Sequence, residues 1–178
     1  MISLILGGAR SGKSAYAEQL ARQSVKHVVY LATAQGLDAE MQERIRHHQA
    51  RRPADWRLSE EPLALAAKLV EMDAADTLII VDCLTLWLTN LLYSIPQSEH
   101  GPVRTPPRFE QERAALLETL PRLQAEVILV SNEVGMGITP MAASARWFVD
   151  EAGRLHQALA KVADSVVFVV AGLPLRMK

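Results

Sequence analysis

Directly after the apolar run Ile2–Leu6 the chain reads Gly7-Gly8-Ala9-Arg10-Ser11-Gly12-Lys13-Ser14, which satisfies G-x-x-x-x-G-K-[ST]. No other feature constrains the fold as much, because this motif works only as the turn between a buried strand and a helix. Its glycines let backbone N–H groups turn inward around phosphate oxygens with no Cβ in the way. The helix that follows adds the partial positive charge of its N-terminus. We therefore expect Gly7, Gly8, Ala9, Arg10, Ser11, Gly12, Lys13 and Ser14 to hold the triphosphate of ATP or GTP. Lys13 is expected to reach the β- and γ-phosphates, and the Ser14 hydroxyl to bind Mg²⁺. The motif says nothing about the reaction.

A strand feeding such a loop belongs to a mostly parallel sheet with helices on both faces, and the rest of the chain alternates accordingly. Strands are expected at Ile2–Leu6, His27–Leu31, Thr77–Val81, Val127–Val130 and, last, Val166–Val170. Helices are expected from Lys13 to about Arg22, Pro62 to Met72, Leu84 to Tyr93, Phe109–Leu123 and Met141–Ala163. Asp38 reads as an N-cap, with Met41, Ile45 and His48 following on one helical face. Ser94–Arg108 holds Pro96, Gly101, Pro102, Pro106 and Pro107, which predicts an exposed, mobile loop. No repeat or domain-scale linker interrupts residues 1–178, so one catalytic domain is expected.

Composition narrows the class further. The 178 residues are 49% hydrophobic, enough for one sizeable core. A net charge of -1 with interspersed signs gives no basic patch, which argues against nucleic acid as a partner. The single cysteine, Cys83, excludes an intrachain disulfide and a multi-thiolate zinc site. With a strand starting right after Met1 and no long apolar run, we expect a cytoplasmic protein without direct membrane insertion.

Three further segments carry chemistry. Asp82 ends the apolar run Leu78-Ile79-Ile80-Val81, where a charge is costly unless it has a task. It reads as the second Mg²⁺ contact, as a cap for the Leu84 helix, or as both; Cys83 beside it reads as a small buried filler. In Arg44-Ile45-Arg46-His47-His48-Gln49-Ala50-Arg51-Arg52-Pro53-Ala54-Asp55-Trp56 the adjacent histidines point about 100° apart on a helix, so they cannot form an i, i+4 metal pair. One neutral imidazole can attack phosphorus while arginines stabilise the charge; spacing alone equally describes a solvated basic face. Val130-Ser131-Asn132-Glu133-Val134-Gly135-Met136-Gly137-Ile138 places polar residues and glycines right after a buried strand. Glu133 there is either a substrate- or metal-binding carboxylate or part of a plain strand-to-helix turn.

Together with Ala32-Thr33-Ala34, Asp38-Ala39-Glu40-Met41, Asp82-Cys83 and Thr89-Asn90-Leu91-Leu92, these segments resemble the bifunctional adenosylcobinamide kinase / adenosylcobinamide-phosphate guanylyltransferase family. The likeness runs from Met1 to the C-terminal end in one order. It implies a RecA-like P-loop fold, a homotrimer, and two reactions on small-molecule substrates. One moves a γ-phosphoryl group from ATP or GTP to the aminopropanol hydroxyl of adenosylcobinamide. The other attaches GMP from GTP to that new phosphate through a GMP–histidine phosphoramidate.

Carried over position by position, the resemblance makes His48 the guanylylated residue and His47 its bystander. It adds Ala32, Thr33 and Ala34 as a nucleotide-contacting turn, and Gln49, Ala50, Arg51, Arg52 and Glu60 as further nucleotide contacts, with Glu61 competing for the Glu60 register. Asp82 matches an acid that is often glutamate in relatives. Attack at the γ-phosphorus and then at the α-phosphorus requires the nucleotide or the His48 helix to shift, and Gly36 and Pro53 flank that helix as hinge and boundary. Two other readings of the same residues are a P-loop kinase of another small alcohol and a nucleotide-binding switch.

Overall fold

A computed structural model describes residues 1–34, 53, 55–97 and 102–178 of the chain. In chain order the elements are β1 (Ile2–Gly7), α1 (Lys13–Gln23), β2 (His27–Ala32), β3 (Arg57–Glu60), α2 (Leu65–Glu71), β4 (Thr77–Asp82), α3 (Leu84–Leu92), α4 (Pro107–Thr119), a 3₁₀ turn (Leu120–Arg122), β5 (Glu126–Asn132), α5 (Ala143–Val162), β6 (Ser165–Val170) and β7 (Leu173–Arg176). The strands form one seven-stranded sheet in the order β3-β2-β4-β5-β1-β6-β7. All pairings are parallel except β6–β7, which is antiparallel.

The alternating side chains of the central strands feed two separate cores, as period-2 geometry demands. Leu4, Leu31, Ile79 and Leu129 point to one face, packed with Leu65, Leu69, Trp87, Leu88, Phe109 and Leu155 from α2 to α5. Ile5, Tyr30, Ile80 and Val130 point to the other, against Ala17 and Ala21 of α1. Both faces of the sheet are covered, which is why its inner strands read as continuous apolar runs. The α/β class expected from the loop motif is the one found.

Four boundaries differ from the expectations, each for a local reason. β3 (Arg57-Leu58-Ser59-Glu60) is a short, largely exposed edge strand without apolar alternation. Val166–Val170 is not the last strand: Ala171 and Gly172, at φ 52° and 79°, reverse the chain into the exposed strand β7. Pro62 does not open α2; Glu61 folds back there, and its Oε1 accepts the N–H groups of Leu63 at 2.9 Å and Ala64 at 2.7 Å, so the helix starts at Leu65. Helix α4 starts at Pro107, inside the stretch read as loop, and tightens into the 3₁₀ turn at Leu120. That loop's described base is held by Gln97, whose amide donates to the Leu92 and Arg104 carbonyls and accepts from the Arg104 N–H. Asp38, Met41, Ile45, Gly36 and the middle of the loop, residues 98–101, lie outside the described residues.

Candidate active site

Gly7 closes β1 and Lys13 opens α1, so the phosphate-loop motif stands at the carboxyl edge of the sheet, the binding edge of such folds. Its glycines meet real constraints. A Cβ on Gly7 would lie 2.5 Å from Ser11 Oγ and 2.6 Å from the Val169 carbonyl oxygen. Gly12 sits at φ 97°, where a Cβ would also lie 3.0 Å from Gly172 Cα. Arg10 takes the left-handed region as well, at φ 56°, and its side chain and that of Ala9 are exposed. Lys13 is buried and its Nζ donates to the Gly8 carbonyl at 3.2 Å, across the loop. Ser14, half-buried, follows in the first turn of α1.

Asp82 stands at the end of β4 and accepts the Tyr30 hydroxyl at 2.6 Å. It does not cap α3: the residue in the cap position is Cys83, and no side-chain hydrogen bond closes that helix end. Cys83 is the buried filler expected. Burial, then the neighbouring Asp82 charge, push its thiol above the usual range, and the sulfur lies 3.1 Å from Thr85 Oγ1. A thiol so placed is not a nucleophile.

The turn Ala32–Ala34 leaves β2 beside Asp82, whose backbone carbonyl accepts the Thr33 N–H. Thr33 is fully buried, and its hydroxyl is spent on Cys83, donating to the carbonyl at 2.7 Å and accepting from the N–H at 3.0 Å. The Asn90 amide pins the turn from the other side, donating to the Thr33 carbonyl at 2.7 Å and to that of Pro62 at 3.1 Å. Asn90 in the Thr89–Leu92 segment is thereby a brace for the turn. Glu61 is committed to the start of α2, whereas Glu60 is exposed at the end of β3. With β3 four strands from β1, Glu60 lies roughly 19 Å across the sheet from the loop.

Of the Arg44–Trp56 cluster, the described part is Pro53, Asp55 and Trp56. Trp56 packs against the α1-side core with the Arg22 guanidinium 5.6 Å from its ring centroid. His47, His48, Gln49, Ala50, Arg51 and Arg52 lie outside the described residues.

The Glu133 candidate belongs to a polar group at the end of β5 whose other members, Ser131 and His156, are buried, and of these His156 was not expected from sequence. Asn132 lies opposite Gly7 in the register, and Glu133 donates its N–H to the Gly7 carbonyl at 3.0 Å. Glu133 Oε1 accepts the Gly135 N–H at 2.7 Å, and Oε2 faces His156 Nδ1 at 3.5 Å. His156, buried on α5, places Nε2 2.7 Å from the fully buried Ser131 Oγ. Burial pushes this histidine below its ordinary value, and the Glu133 charge pulls it back up. The sequence signal for His156 was a polar residue inside the apolar stripe Ala152, Leu155, Leu159 of α5.

The chain matches the family described as cobinamide kinase / cobinamide phosphate guanyltransferase over residues 3–177. It is 54% identical to the bifunctional adenosylcobalamin biosynthesis protein CobP of Pseudomonas aeruginosa, covering 100% of this chain and 98% of that one. It is 42% identical to the bifunctional adenosylcobalamin biosynthesis protein CobU of Salmonella typhimurium, with both chains covered in full (100%). Among solved structures, a prototypical ATPase from a bacterial type III secretion system superposes with a TM-score of 0.55 at 12% identity, covering 98% of this chain and 56% of that one. At that identity the likeness speaks for the P-loop ATPase fold alone.

Proposed function

The chain belongs to the cobinamide kinase / cobinamide phosphate guanyltransferase family, and from that premise we propose that it phosphorylates adenosylcobinamide and then converts the phosphate to adenosylcobinamide-GDP. The observation that carries the reading is a formed phosphate loop at the β1–α1 junction of a chain matching that family over nearly its whole length. In the first reaction the loop N–H groups and Lys13 hold the triphosphate. The acceptor hydroxyl oxygen bonds to the γ-phosphorus as the bond to the β–γ bridging oxygen breaks, leaving the nucleoside diphosphate.

In the second reaction we assign His48 as nucleophile. Its nitrogen bonds to the α-phosphorus of GTP and pyrophosphate leaves; the phosphate oxygen of the acceptor then takes the GMP and frees the histidine. Gln49, Ala50, Arg51, Arg52, Glu60 and the Ala32–Ala34 turn are assigned to the nucleotide, with Thr33 shaping the turn, because its hydroxyl, N–H and carbonyl are all engaged within the protein. Ser14 and Asp82 offer hard oxygen donors, a set that suits Mg²⁺, and the Tyr30 hydroxyl orients the carboxylate. When bound, Mg²⁺ offsets the charge of the β- and γ-phosphates. No helix among the described residues is long and apolar enough to cross a membrane. We take the enzyme to work in the cytoplasm as a homotrimer, which sizing in solution tests.

The test uses GTP labelled at the α-phosphate, followed by denaturing electrophoresis, in parallel with transfer of a labelled γ-phosphate to adenosylcobinamide. A protein-bound label and a phosphorylated acceptor are expected. Phosphorylation without protein label would leave a plain alcohol kinase; hydrolysis with neither would leave a nucleotide switch.

A further inference from the structure

Neither the phosphate loop nor His48 explains the buried group at the end of β5, nor which side chain takes the proton released by the acceptor hydroxyl. Resting on the kinase step assigned above, we propose that Glu133 is the catalytic base of phosphoryl transfer and that His156 is its positioning residue.

Strand register separates the carboxylates at this edge. Asp82 pairs with Val130, and Val130 with Ile5, so Asp82 stands at the level of Ile5. That is two residues, or roughly 7 Å, below Gly7, under the loop where a phosphate-bound cation belongs. Glu133 follows Asn132, which is level with Gly7, and so stands beside the start of the loop on the strand adjacent to β1. Glu60 lies on the far edge of the sheet. Glu133 is thus the carboxylate beside the start of the loop with its side chain turned to α5, and the acceptor hydroxyl is assigned to that side. Its side chain is 21% exposed, within reach of a substrate yet largely fixed.

What fixes it is unusual for a plain turn. One oxygen accepts the Gly135 N–H, and a Cβ at Gly135 would lie 3.0 Å from that oxygen, so glycine leaves the carboxylate room. The other oxygen faces His156 Nδ1 at 3.5 Å, and among the described residues no other group offers that nitrogen a hydrogen bond. The tautomer that satisfies both neighbours has Nε2 accepting from the Ser131 hydroxyl and Nδ1–H directed at Glu133. A buried imidazole between a buried serine and a carboxylate holds that carboxylate in one orientation, as positioning histidines do in other sites. In the step itself the acceptor O–H proton passes to a Glu133 oxygen as the oxygen–γ-phosphorus bond forms. The proton then leaves to water once the nucleoside diphosphate has gone.

The test measures phosphorylation of adenosylcobinamide and GMP labelling of the protein in the same preparations of Glu133→Gln, Glu133→Asp, His156→Gln and His156→Leu. Glu133→Gln keeps the shape and removes the base, so kcat for phosphorylation should fall about 100-fold or more with little change in the KM for cobinamide. Labelling from GTP should persist, since it involves no acceptor hydroxyl. Glu133→Asp should recover part of the rate. His156→Leu should lower kcat about tenfold, with partial rescue by Gln, which can still donate and accept. Near-normal phosphorylation by Glu133→Gln, or loss of labelling in parallel with phosphorylation, would overturn the proposal. So would an Asp variant no better than the Gln one. Failure of the unsubstituted enzyme to phosphorylate cobinamide would instead sink the functional reading itself.

Discussion

The backbone N–H of Gly172 donates to the carbonyl of Ser11 at 2.8 Å, so the turn between the last two strands carries the middle of the phosphate loop. The contact is reinforced by the approach of Gly12 to Gly172 and of Gly7 to the Val169 carbonyl. The exposed β6–β7 hairpin therefore has a function beyond closing the sheet. It holds a loop in which Arg10, a residue with a Cβ, sits in the left-handed region at φ 56°, a conformation that costs energy unless its surroundings fix it.

This contact separates two glycine substitutions that look alike in sequence. A Cβ on Gly172 meets nothing within 4 Å, so Gly172→Ala pays only for its left-handed φ, about 1 kcal/mol. Gly12→Ala pays the same and also presses on Gly172 Cα, displacing the loop. Urea unfolding should show a modest loss for the first and a larger one for the second, and only the second should raise the KM for GTP markedly. Equal effects would mean that the hairpin contact does not shape the loop.

Lys13→Ala should abolish both reactions. The buried Nζ spans the loop, and each reaction needs the triphosphate charge offset at that place. Loss of such a cation costs several kcal/mol of transition-state stabilisation, roughly a thousandfold in rate. Turnover close to normal in either assay would remove the loop from that reaction.

Glu133→Gln tests the carboxylate beside the start of the loop. Its fall in phosphorylation with retained GMP labelling is expected because the carboxylate and not the fold is changed; the carboxylate's neighbours Gly135 and His156 keep a partner of the same shape.

The pattern of what could be read from sequence follows from the physics. Loop motif, core strands and the Asp82 strand end were legible because each couples a residue pattern to one local geometry. β3 and β7 were not: both are exposed four-residue edge strands held by pairing, too short for a periodic pattern to mark them. Glu133 could be singled out but not assigned, since its partner His156 is 23 positions away and only the packing of α5 on the sheet brings them together. The Thr33, Asn90 and Glu61 contacts belong to the same category, being hydrogen bonds from side chains to distant or reversed backbone.

His156 should make stability fall as the solution is acidified from about pH 6.5. Burial holds its native value below that of the unfolded chain, so the unfolded state gains the proton first as pH falls. Its contribution is complete above the unfolded value and is lost as pH falls toward the native one. Comparing urea midpoints at pH 7.5 and 5.5, the unsubstituted protein should lose more stability than His156→Gln. An identical loss in both would show that His156 does not take part.

The last prediction concerns the two adjacent histidines. A nitrogen–phosphorus bond forms only from an unprotonated imidazole, which an ordinary histidine supplies at neutral pH. Such a linkage is cleaved by acid and survives base, whereas a phosphoester on serine resists acid. Acid should therefore strip the label that GTP leaves on the protein. His48→Ala should lose both the label and guanylyl transfer, yet keep phosphorylation of cobinamide, because γ-transfer needs no enzyme nucleophile. His47→Ala should keep both reactions, since the helix expected from the sequence would group His48 with Met41 and Ile45 and turn His47 about 100° away. Loss of the label in His47→Ala with retention in His48→Ala would move the nucleophile by one residue. Retention in both would remove histidine at these positions from the transfer of GMP.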